Sequence, residues 1–392
     1  MKKKIAILGS TGSIGTTSLN IFKKNKNKFD IILLAANRNY SLICKQIKVF
    51  KPKYYIISDE LVFKKVKKKY KNTKIKIYNN FSDLNFKKKK FDITISSIVG
   101  IAGLSPTMKF IKYSKKILLA NKETIICGWH LVKNLSKSHK TKIIPVDSEH
   151  FSIDQLTRNY KDTDIEKIYL TASGGPFLNK PLKSFKSIKA SDAIKHPKWK
   201  MGKKISIDSS NLMNKVLEII EAYRLFPFKI DKYEIIIHPQ SLVHAIVHFK
   251  NGQTRFLYHE TDMKIPISNA IFGNDFDKTN FIYPKKDILK KFENLKFIKV
   301  DKKRFPIVTL LKKFSNNNSA PIILNASNET LVSKFIEGKI SFKSIFFYLR
   351  SVLGHKHFKK YAIKRSPNIN EIYEIDNWAR IKTLELIRRK FT

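Results

Sequence analysis

The fold is decided near the amino terminus by the stretch Ile5–Gly15, which reads IAILGSTGSIG. Four apolar residues of strand length run directly into glycines with the spacing G-x-x-G-x-x-G, and a helix-like stretch follows. Glycines in such a turn let backbone N–H groups approach a pyrophosphate at the positive end of a helix. The spacing differs from the commoner G-x-G-x-x-G, so a plain glycine turn between a strand and a helix stays an alternative.

Further apolar runs of strand length alternate with lysine-rich amphipathic stretches through residue 146. Together with the first run they are Ile5–Leu8, Ile31–Ala36, Tyr54–Ile57, Ile93–Val99 and Ile117–Ala120. These runs are apolar enough to be buried on both faces, which predicts an α/β fold with an N-terminal doubly wound, Rossmann-like parallel sheet. The basic runs Lys64–Lys69 and Lys87–Lys90 are interpreted as solvated helix faces or loops.

The pattern changes after residue 146. Strand-like runs at Lys167–Thr171, Tyr233–Ile237 and Leu242–Phe249, with a helical period over Asn211–Phe226, predict a central α+β domain with a mixed sheet. We therefore expect a dinucleotide-binding domain over 1–146, a catalytic domain over 147–272, a linker over 273–298 and a C-terminal helical domain over 299–392. The run at 316–319 is expected to be a loop.

Composition restricts the class of protein. With 42% hydrophobic residues in 392, the chain can bury real cores, which excludes a disordered protein. The 78 Lys and Arg against 31 Asp and Glu give a net charge of +47, a balance found in nucleic-acid-binding proteins. The excess is mostly lysine and accompanies abundant Asn, Ile, Phe and Tyr, as A/T-rich codons produce. We expect no nucleic-acid or membrane partner, with a nucleic-acid-binding module as the alternative.

Cysteine content and the first residues predict a cellular compartment. Cys44 and Cys127 are too few for a disulfide framework or a four-thiolate metal site. The first apolar run stops after four residues, whereas a signal peptide needs about 7–15. We expect a cytoplasmic, reduced protein.

The end of the second apolar run indicates which cofactor the glycine turn would serve. An NAD site usually places Asp or Glu there to bind the ribose 2′-hydroxyl. This chain has Asn37, Arg38 and Asn39 instead. Arg38 could meet a 2′-phosphate, which favours NADPH over NADH. The alternative is an exposed arginine at the start of a helix.

Two acidic residues follow the strand-like run Ile143–Val146. In an extended chain, positions two apart project to the same side, so Asp147 and Glu149 are expected to converge. Neighbouring carboxylates repel unless a proton or cation lies between them, and hard divalent ions favour oxygen ligands. Two solvated acids at a strand end are the alternative.

A third carboxylate comes from the segment 209–218. On a helix, Asn214 and Lys215 share a face with Glu218. This arrangement would put Ser209, Asn214 and Lys215 on a phosphate beside a metal held by Glu218, with a further hydroxyl from Ser173. The alternative is a Lys–Glu pair on the protein surface.

One loop combines residues suited to covering a ligand. The segment His196–Gly202 reads HPKWKMG, so proline and glycine bracket an imidazole, the ring of Trp199 and the thioether of Met201. We interpret it as a lid over a bound ligand, with a packed surface loop as the alternative.

Taken together and in their order along the chain, the segments described here and three others resemble those of the 1-deoxy-D-xylulose 5-phosphate reductoisomerase family. The matching segments cover essentially the whole chain: Gly9–Gly15, Leu119–Glu123, Pro145–His150, Ser173–Phe177, His196–Gly202, Ser209–Glu218, His238–Ser241 and Leu324–Glu329. The resemblance implies a homodimer that uses NADPH and one Mg²⁺ or Mn²⁺. It also implies conversion of 1-deoxy-D-xylulose 5-phosphate into 2-C-methyl-D-erythritol 4-phosphate in the non-mevalonate isoprenoid pathway.

The resemblance also implies roles for individual residues. The metal ligands would be Asp147, Glu149 and Glu218. The substrate would contact Lys122, Ser148, Glu149, Ser173, His196, Ser209, Asn214, Lys215 and Glu218. The catalytic residues would be Lys122, Glu149 and His196, and the lid residues Trp199 and Met201. NADPH would contact Thr11, Gly12, Ser13, Ile14, Asn37, Arg38, Asn39, Asn121, Glu123 and Gly202.

A few positions depart from the family pattern. Asn37 and Ala172 replace usual glycines, Val216 replaces a small residue, and Phe151 and Asp154 alter the packing expected behind the metal. A second class of G-x-x-G-x-x-G reductase, the aspartate-semialdehyde dehydrogenase type, needs a nucleophilic cysteine. Neither cysteine of this chain has the expected sequence setting.

Overall fold

The structure is a computed structural model that describes residues 1–87, 90–199, 201–273, 289–314, 319–363 and 365–389. Contacts divide the chain into two units. The first holds the described residues of 1–124, 129–148 and 263–273, and the second holds the others. Several predicted features lie outside the described residues: positions 88–89 of a basic run, position 200 of the lid, 274–288 of the linker and 316–318 of the loop.

The described part of the chain forms the following elements. Its strands are β1 (Lys3–Leu8), β2 (Phe29–Ala36), β3 (Tyr54–Ile57), β4 (Lys76–Tyr78), β5 (Phe91–Ser96), β6 (Ser114–Leu119), β7 (Lys142–Pro145), β8 (Ile165–Ala172), β9 (Tyr233–Ile237), β10 (Val243–Phe249), β11 (Thr254–Tyr258) and β12 (Ile298–Lys299). Its α-helices are α1 (Ser13–Lys24), α2 (Tyr40–Phe50), α3 (Glu60–Lys69), α4 (Leu104–Ile111), α5 (Lys122–Ser138), α6 (Ser148–Thr157), α7 (Ala190–Ala193), α8 (Lys203–Ser210), α9 (Met213–Leu225), α10 (Lys264–Phe272), α11 (Leu289–Phe292), α12 (Ala320–Ile336), α13 (Phe342–Leu353), α14 (Phe358–Tyr361) and α15 (Ile369–Arg388). Stretches of 3₁₀ helix lie at Ile101–Gly103, Asp162–Asp164, Leu182–Ser187, Ile230–Lys232 and Pro306–Lys313.

The first unit contains a parallel sheet of seven strands in the order β4-β3-β2-β1-β5-β6-β7. Strand order reverses between β1 and β5. In open α/β sheets, ligands bind beyond the carboxyl ends of the strands at such a switch point. The N-terminal doubly wound sheet predicted from the apolar runs is confirmed.

Both faces of this sheet are covered, as its apolar strands predict. Ile5 and Ile7 pack into a buried cluster with side chains of α1, α2 and α10. Ala6 and Leu8 point the other way, into a cluster that contains Phe110 of α4. The alternation along β1 therefore places apolar side chains in two separate cores.

In the first unit, one predicted strand ends earlier than expected and one observed strand was not predicted. The run Ile93–Val99 was expected to continue as a strand, but β5 ends at Ser96 and Val99 is 76% exposed. Beyond Ser96 the chain leaves the sheet for the loop that precedes α4, so those apolar residues are not paired. Strand β4 was not predicted, because it has only three residues and begins with lysine.

The second unit contains a mixed sheet of five strands in the order β11-β10-β8-β9-β12. Strands β8 and β9 are parallel, and the other neighbours are antiparallel. Helix α9 was predicted over 211–226 and begins two residues later. Leu212, with a left-handed φ of 67°, turns the chain between α8 and α9. The predicted mixed sheet is confirmed.

Arginine side chains bind main-chain or acidic groups at several points of the second unit. Arg224 of α9 is half-buried and donates to the carbonyl oxygens of Ile125 and Ile126. Arg304 donates to the carbonyls of Phe177 and Lys180 at 2.8 and 2.6 Å. Arg380 of α15 binds Asp376 and Glu329, the latter on α12. These guanidinium groups fix helices and loops with two acceptors each.

The observed grouping differs from the predicted domain boundaries in several places. The described residues of 299–392 group with those of 149–262 in one unit, and residues 125–128 belong to that unit as well. Helix α10 lies before the predicted linker, yet it groups with the first unit, where it packs on α1. The rings of Phe29 and Phe272 lie 5.6 Å apart, and Lys116 donates to the carbonyl of Ala270 at 2.8 Å. Strand β12, which pairs with β9, begins at the last residue of that linker. Within the described ranges, no helix is both long and apolar enough to cross a membrane.

Candidate active site

Three carboxylates lie together where β7 leads into α6. One oxygen from each of Asp147, Glu149 and Glu218 lies within 4.8 Å of the others. Glu149 and Glu218 are buried, and Asp147 is half-buried. Buried carboxylates at this separation need a compensating cation, and an all-oxygen donor set suits Mg²⁺ or Mn²⁺. The residues present therefore fit the divalent ion that the family resemblance implies.

Asp147 and Glu149 do not come together along an extended chain, so that part of the prediction was wrong. Asp147 and Glu149 were expected to share a side of an extended chain, but Ser148 already begins α6, so Glu149 lies in the first helical turn. Glu218 comes from the second turn of α9. A strand end and two helices, rather than one strand, bring the acids together.

Lys215 and Asn214 contact the acids from within α9. The Lys215 ammonium donates to Glu149, and to Glu218 Oε2 at 2.6 Å, while Asn214 donates to Glu218 Oε1. Lys215 is 8% exposed and Glu218 is 1% exposed. The alternative of a Lys–Glu pair on the surface is therefore wrong, because this ion pair is buried.

The two serines suggested for a phosphate lie at adjoining turns. Ser173 follows β8, and Ser209 lies in the last turn of α8. Gly175 has a φ of +66°, and a Cβ there would lie 2.8 Å from the Cα of Ser210. Only glycine permits this approach, so the loop after β8 packs directly against the end of α8.

His196 has a defined tautomer. Its Nδ1 accepts from the backbone N–H groups of Trp199 and Lys198 at 2.9 and 3.2 Å, so Nε2 carries the proton and donates to Ser173 Oγ at 3.0 Å. Burial, reinforced by the charge of Lys215, lowers the pKa of His196 to about 4. The imidazole is therefore neutral near pH 7. Ser173 Oγ also accepts from the N–H of Gly175, which leaves the serine hydroxyl hydrogen to donate.

The predicted lid is connected to α6 by a row of rings. The ring centroids of Trp199 and His244 lie 6.0 Å apart, and His244 stacks on His259 with a centroid separation of 3.7 Å. The ring of His259 in turn lies 6.0 Å from that of Phe151, between centroids. Burial, and then the neighbouring His259, lowers the pKa of His244 to about 3. Met201 is half-buried. The departure at Phe151 is thus accommodated against His259.

A buried His–Glu contact behind the acids was missed in the sequence. His150 Nε2 lies 2.9 Å from the carbonyl oxygen of Glu218, and its Nδ1 lies 3.4 Å from Glu221 Oε2. These contacts join α6, which carries Glu149, to α9, which carries Glu218. No local spacing signals this contact, because His150 and Glu221 are distant in sequence. Asp154, in contrast, pairs with Arg158 at the surface, so that departure lies away from the acids.

In the first unit, the glycine turn is compact for steric reasons. Gly9 has a φ of +91°, and a Cβ there would lie 2.7 Å from the carbonyl oxygen of Ser97. A Cβ on Gly15 would lie 2.3 Å from the carbonyl oxygen of Gly9. The predicted cofactor residues of this turn are half-buried or exposed at the start of α1: Thr11, Gly12, Ser13 and Ile14.

The other predicted cofactor residues of this unit lie at starts of helices. Asn37, Arg38 and Asn39 are exposed after β2, and Asn39 caps α2 by accepting from the N–H of Leu42 at 3.1 Å. Asn121 caps α5 and also donates to the carbonyl of Gly100 at 2.9 Å.

The remaining predicted positions fall in both units. Lys122 and the buried Glu123 form the first turn of α5, in the first unit. Gly202 lies in the second unit, directly before α8.

A switch-point glycine turn and a carboxylate trio next to a buried lysine define the chain as a dinucleotide- and metal-dependent α/β enzyme. Three family models match it. A 1-deoxy-D-xylulose 5-phosphate reductoisomerase model covers residues 5–128, the C-terminal domain model of the same enzyme covers 143–226, and a DXP reductoisomerase C-terminal domain model covers 259–382. The chain belongs to the 1-deoxy-D-xylulose 5-phosphate reductoisomerase family.

Individual relatives agree over nearly the full length. The chain is 45% identical to the 1-deoxy-D-xylulose 5-phosphate reductoisomerase of Pelagibacter ubique, over 97% of this chain and 98% of the relative. It is 40% identical to that of Wolbachia pipientis, over 99% and 98%. Among solved structures, a DOX-P reductoisomerase in complex with NADPH, fosmidomycin and magnesium matches with a TM-score of 0.90 and 30% identity, over 98% of both chains. The Zymomonas mobilis enzyme in complex with NADPH matches with a TM-score of 0.87 and 30% identity, over 99% of both chains.

The cysteine-dependent reductase class does not fit. Cys44 and Cys127 are both buried. A catalytic thiol must reach its substrate, and reactive cysteines lie in partly exposed, electropositive surroundings.

Proposed function

We propose that this chain carries out the reaction of its family with the residues described above in defined roles. The reaction is the NADPH-dependent rearrangement and reduction of 1-deoxy-D-xylulose 5-phosphate to 2-C-methyl-D-erythritol 4-phosphate, a step of the non-mevalonate isoprenoid pathway. The enzyme needs NADPH and a divalent cation. The observation that carries the role assignment is the cluster of Asp147, Glu149 and Glu218 next to the buried Lys215.

For the metal, we assign Asp147, Glu149 and Glu218 as ligands. A bound divalent ion supplies Lewis-acid polarisation of substrate oxygens and holds them in a fixed orientation. The protein contributes the rigidity of this cluster, because His150 joins α6 to α9 directly behind the acids. Solved relatives that contain magnesium support the choice of ion.

For the substrate, we assign the phosphate to Ser173, Ser209, Asn214 and Lys215. Ser173 retains a hydroxyl hydrogen to donate, since its oxygen already accepts from His196 and from the N–H of Gly175. The neutral imidazole of His196 orients that hydroxyl without adding charge. Lys122 and Ser148 would contact substrate hydroxyls. The complexes of relatives with the substrate analogue fosmidomycin support a phosphorylated small molecule at such a site.

The catalytic roles fall to Lys122, Glu149 and His196. Lys122 would face the substrate oxygens where negative charge develops, and a positioned ammonium there stabilises the transition state. Glu149 would act through the divalent ion that it helps to hold. His196 would hold its Nε2 proton on Ser173 and so fix the phosphate end of the substrate. Phosphate binding remote from the reacting carbons supplies energy for closing the site.

For NADPH, we assign the turn at Thr11–Ile14, the segment 37–39, Asn121, Glu123 and Gly202. Bound NADPH supplies the hydride for the reduction. The backbone at the start of α1 would bind the pyrophosphate, and the exposed Arg38 guanidinium would bind the 2′-phosphate.

We also propose that the segment 196–202 is a lid, closing with Trp199 and Met201 over the substrate. Closure would exclude water and strengthen the electrostatic contacts inside. Trp199 already packs on His244, which gives the loop a defined resting position.

We also keep the division into three functional domains as part of this proposal. Residues 1–146 would bind NADPH, and residues 299–392 would form a helical domain.

The assembly we propose is a cytoplasmic homodimer. The outermost strand of the mixed sheet, β11, carries Phe256 at 48% exposure, which is suited to covering by a second copy. Two buried thiols fit a reducing compartment. Sedimentation equilibrium tests the dimer, and a monomer at micromolar concentration would contradict it.

The function is tested by following NADPH absorbance with 1-deoxy-D-xylulose 5-phosphate, with Mg²⁺ or with a chelator. We expect oxidation only when substrate and metal are both present. Glu218→Gln should abolish it, whereas Glu374→Gln, at an exposed position of α15, should not. Absence of oxidation by the parent enzyme with saturating metal would contradict the reaction. Unchanged turnover in chelator would contradict the metal assignment.

A further inference from the structure

A buried polar cluster lies beneath the glycine turn of the first unit, formed by Ser10, Gln46 and Tyr55. Gln46 is 2% exposed, and the other two are fully buried. Gln46 Oε1 accepts from Ser10 Oγ at 2.8 Å and from Tyr55 OH at 2.7 Å. Gln46 Nε2 donates to the Ser10 carbonyl oxygen at 2.8 Å. One amide side chain thus makes three hydrogen bonds, two of them to a single residue of the turn.

The position of Gln46 in α2 gives the cluster a second attachment. Helix α2 begins at Tyr40, directly after Arg38 and its capping residue Asn39. Gln46 lies seven residues after Asn39, which is about 10 Å along the helix axis. Arg38, which is suited to a 2′-phosphate, therefore lies just before the start of this helix. Gln46, on its buried face, binds Ser10 of the glycine turn, which is suited to a pyrophosphate.

The other sides of the turn are held by close packing and by backbone hydrogen bonds. Gly9 lies against Ser97 and Gly15 against the turn itself, so closely that a methyl group at either position would clash with backbone atoms. The N–H groups of Gly9 and Ser10 both donate to the carbonyl of Ala35 in β2. Gln46 supplies the side-chain connection from the turn to α2.

A glutamine is an unusual choice for a buried position, where an apolar residue of the same length would pack without the cost of removing an amide from water. Buried polar groups with all partners satisfied instead fix one geometry, because any displacement breaks several hydrogen bonds at once. The cluster joins residues 10, 46 and 55, which come from a loop, a helix and a strand. What it fixes is the distance between the turn and α2.

We propose that Gln46 is a positioning residue for NADPH, which sets the separation between the pyrophosphate-binding turn and the segment that carries Arg38. It acts through Ser10 and α2 and does not itself touch the dinucleotide. This inference rests on the cofactor-binding residues proposed above. An NADPH molecule bound by these residues would bridge the two segments, so its affinity would depend on their spacing.

The test is Gln46→Met, which keeps side-chain length and removes all three hydrogen bonds. We expect the Kd for NADPH, measured by its fluorescence on binding, to rise about tenfold, as the loss of roughly one net hydrogen bond would produce. At saturating NADPH, kcat and the KM for 1-deoxy-D-xylulose 5-phosphate should stay within about twofold of the parent values, since an effect confined to cofactor binding leaves them unchanged.

Tyr55→Phe is the matched control. It removes one buried hydroxyl from the same cluster but leaves Gln46 bound to Ser10, so the Kd for NADPH should change much less than in Gln46→Met. If both variants lose thermal stability equally while neither changes the Kd, the cluster is merely structural and the proposal is overturned. If Gln46→Met does not fold, Ser10→Ala takes its place, and an unchanged Kd in that variant overturns the proposal in the same way.

Failure of the underlying cofactor assignment has a different signature. Arg38→Ala should weaken NADPH and leave NADH nearly unchanged, whereas Gln46→Met should weaken both. If Arg38→Ala changes neither, the proposed NADPH residues are wrong. If Arg38→Ala behaves as expected and Gln46→Met binds NADPH like the parent, only the positioning role is wrong.

Discussion

Replacing Lys215 with methionine should make the stability of this protein depend on a divalent cation. The Lys215 ammonium donates to Glu149 and Glu218, and all three side chains are buried. Removing one partner of a buried ion pair typically costs about 3–5 kcal/mol, because the remaining charge is left uncompensated. In chelator, Lys215→Met should therefore melt well below the parent enzyme.

The same variant should bind metal more tightly. In the parent, an incoming cation competes with the ammonium for oxygens of Glu149 and Glu218. A hydrogen bond to a charged group is worth about 1.5–3 kcal/mol, so removing one competitor should tighten Mn²⁺ binding by roughly 10- to 100-fold. Mn²⁺ should also raise the melting temperature of Lys215→Met by more than that of the parent.

The assay is a Mn²⁺ titration in which the electron paramagnetic resonance signal reports unbound ion, combined with melting curves in Mn²⁺ and in chelator. Lys232→Met is the control, since Lys232 pairs with Asp162 elsewhere in the same unit at 3.1 Å. It should lower stability without changing Mn²⁺ affinity. Equal or weaker Mn²⁺ binding by Lys215→Met would refute the competition between ammonium and metal.

Other substitutions test the remaining assignments. Arg38→Asp should weaken NADPH, because a charge-assisted contact worth about 1.5–3 kcal/mol becomes a repulsion, and equal use of NADPH and NADH by the parent would contradict this. Glu218→Gln should abolish turnover and leave the circular dichroism spectrum unchanged; activity near the parent value would remove Glu218 from the metal site. Trp199→Ala should lower kcat/KM without changing NADPH affinity, and proteolysis within 196–202 should slow when NADPH and fosmidomycin are both bound; cleavage indifferent to these ligands would rule out a lid. The folded-state pKa of His196, about 4, lies below the usual value of about 6.5, so only the unfolded chain takes up this proton between those pH values. Its contribution to stability should therefore be lost as pH falls from about 6.5 to 4, and urea unfolding should show a smaller loss in His196→Gln.

Much of the first unit was predictable because its strands are buried on both faces. Continuous apolar runs such as Tyr54–Ile57 mark such strands, and that run coincides with β3. The run to Val99 was misleading, because apolar composition does not show where backbone pairing stops. Strand β4 was missed because a three-residue edge strand has no periodicity to detect.

The sequence predicted which residues form the candidate site but not how the fold brings them together. Asp147 and Glu149 come together through a helix start, which the extended-chain reasoning did not include. The burial of Lys215 could not be predicted either, because the three-residue spacing of Lys215 and Glu218 occurs equally on a solvent-exposed helix face. The contacts of Gln46 and of Glu221 depend on residues distant in sequence, so no local pattern could have shown them.

The arginines of this chain have a further consequence. Only 10 of its 78 basic residues are arginine. Arg380 uses two nitrogens of its guanidinium fork on Asp376, Nε at 2.6 Å and Nη2 at 3.1 Å, and Nη2 also donates to Glu329. A lysine there carries the same charge but cannot reproduce the planar, two-pronged geometry. Codon drift toward A and T, which turns arginine into lysine at little cost on an open surface, therefore meets a structural barrier at Arg380, where one side chain connects α15 to α12.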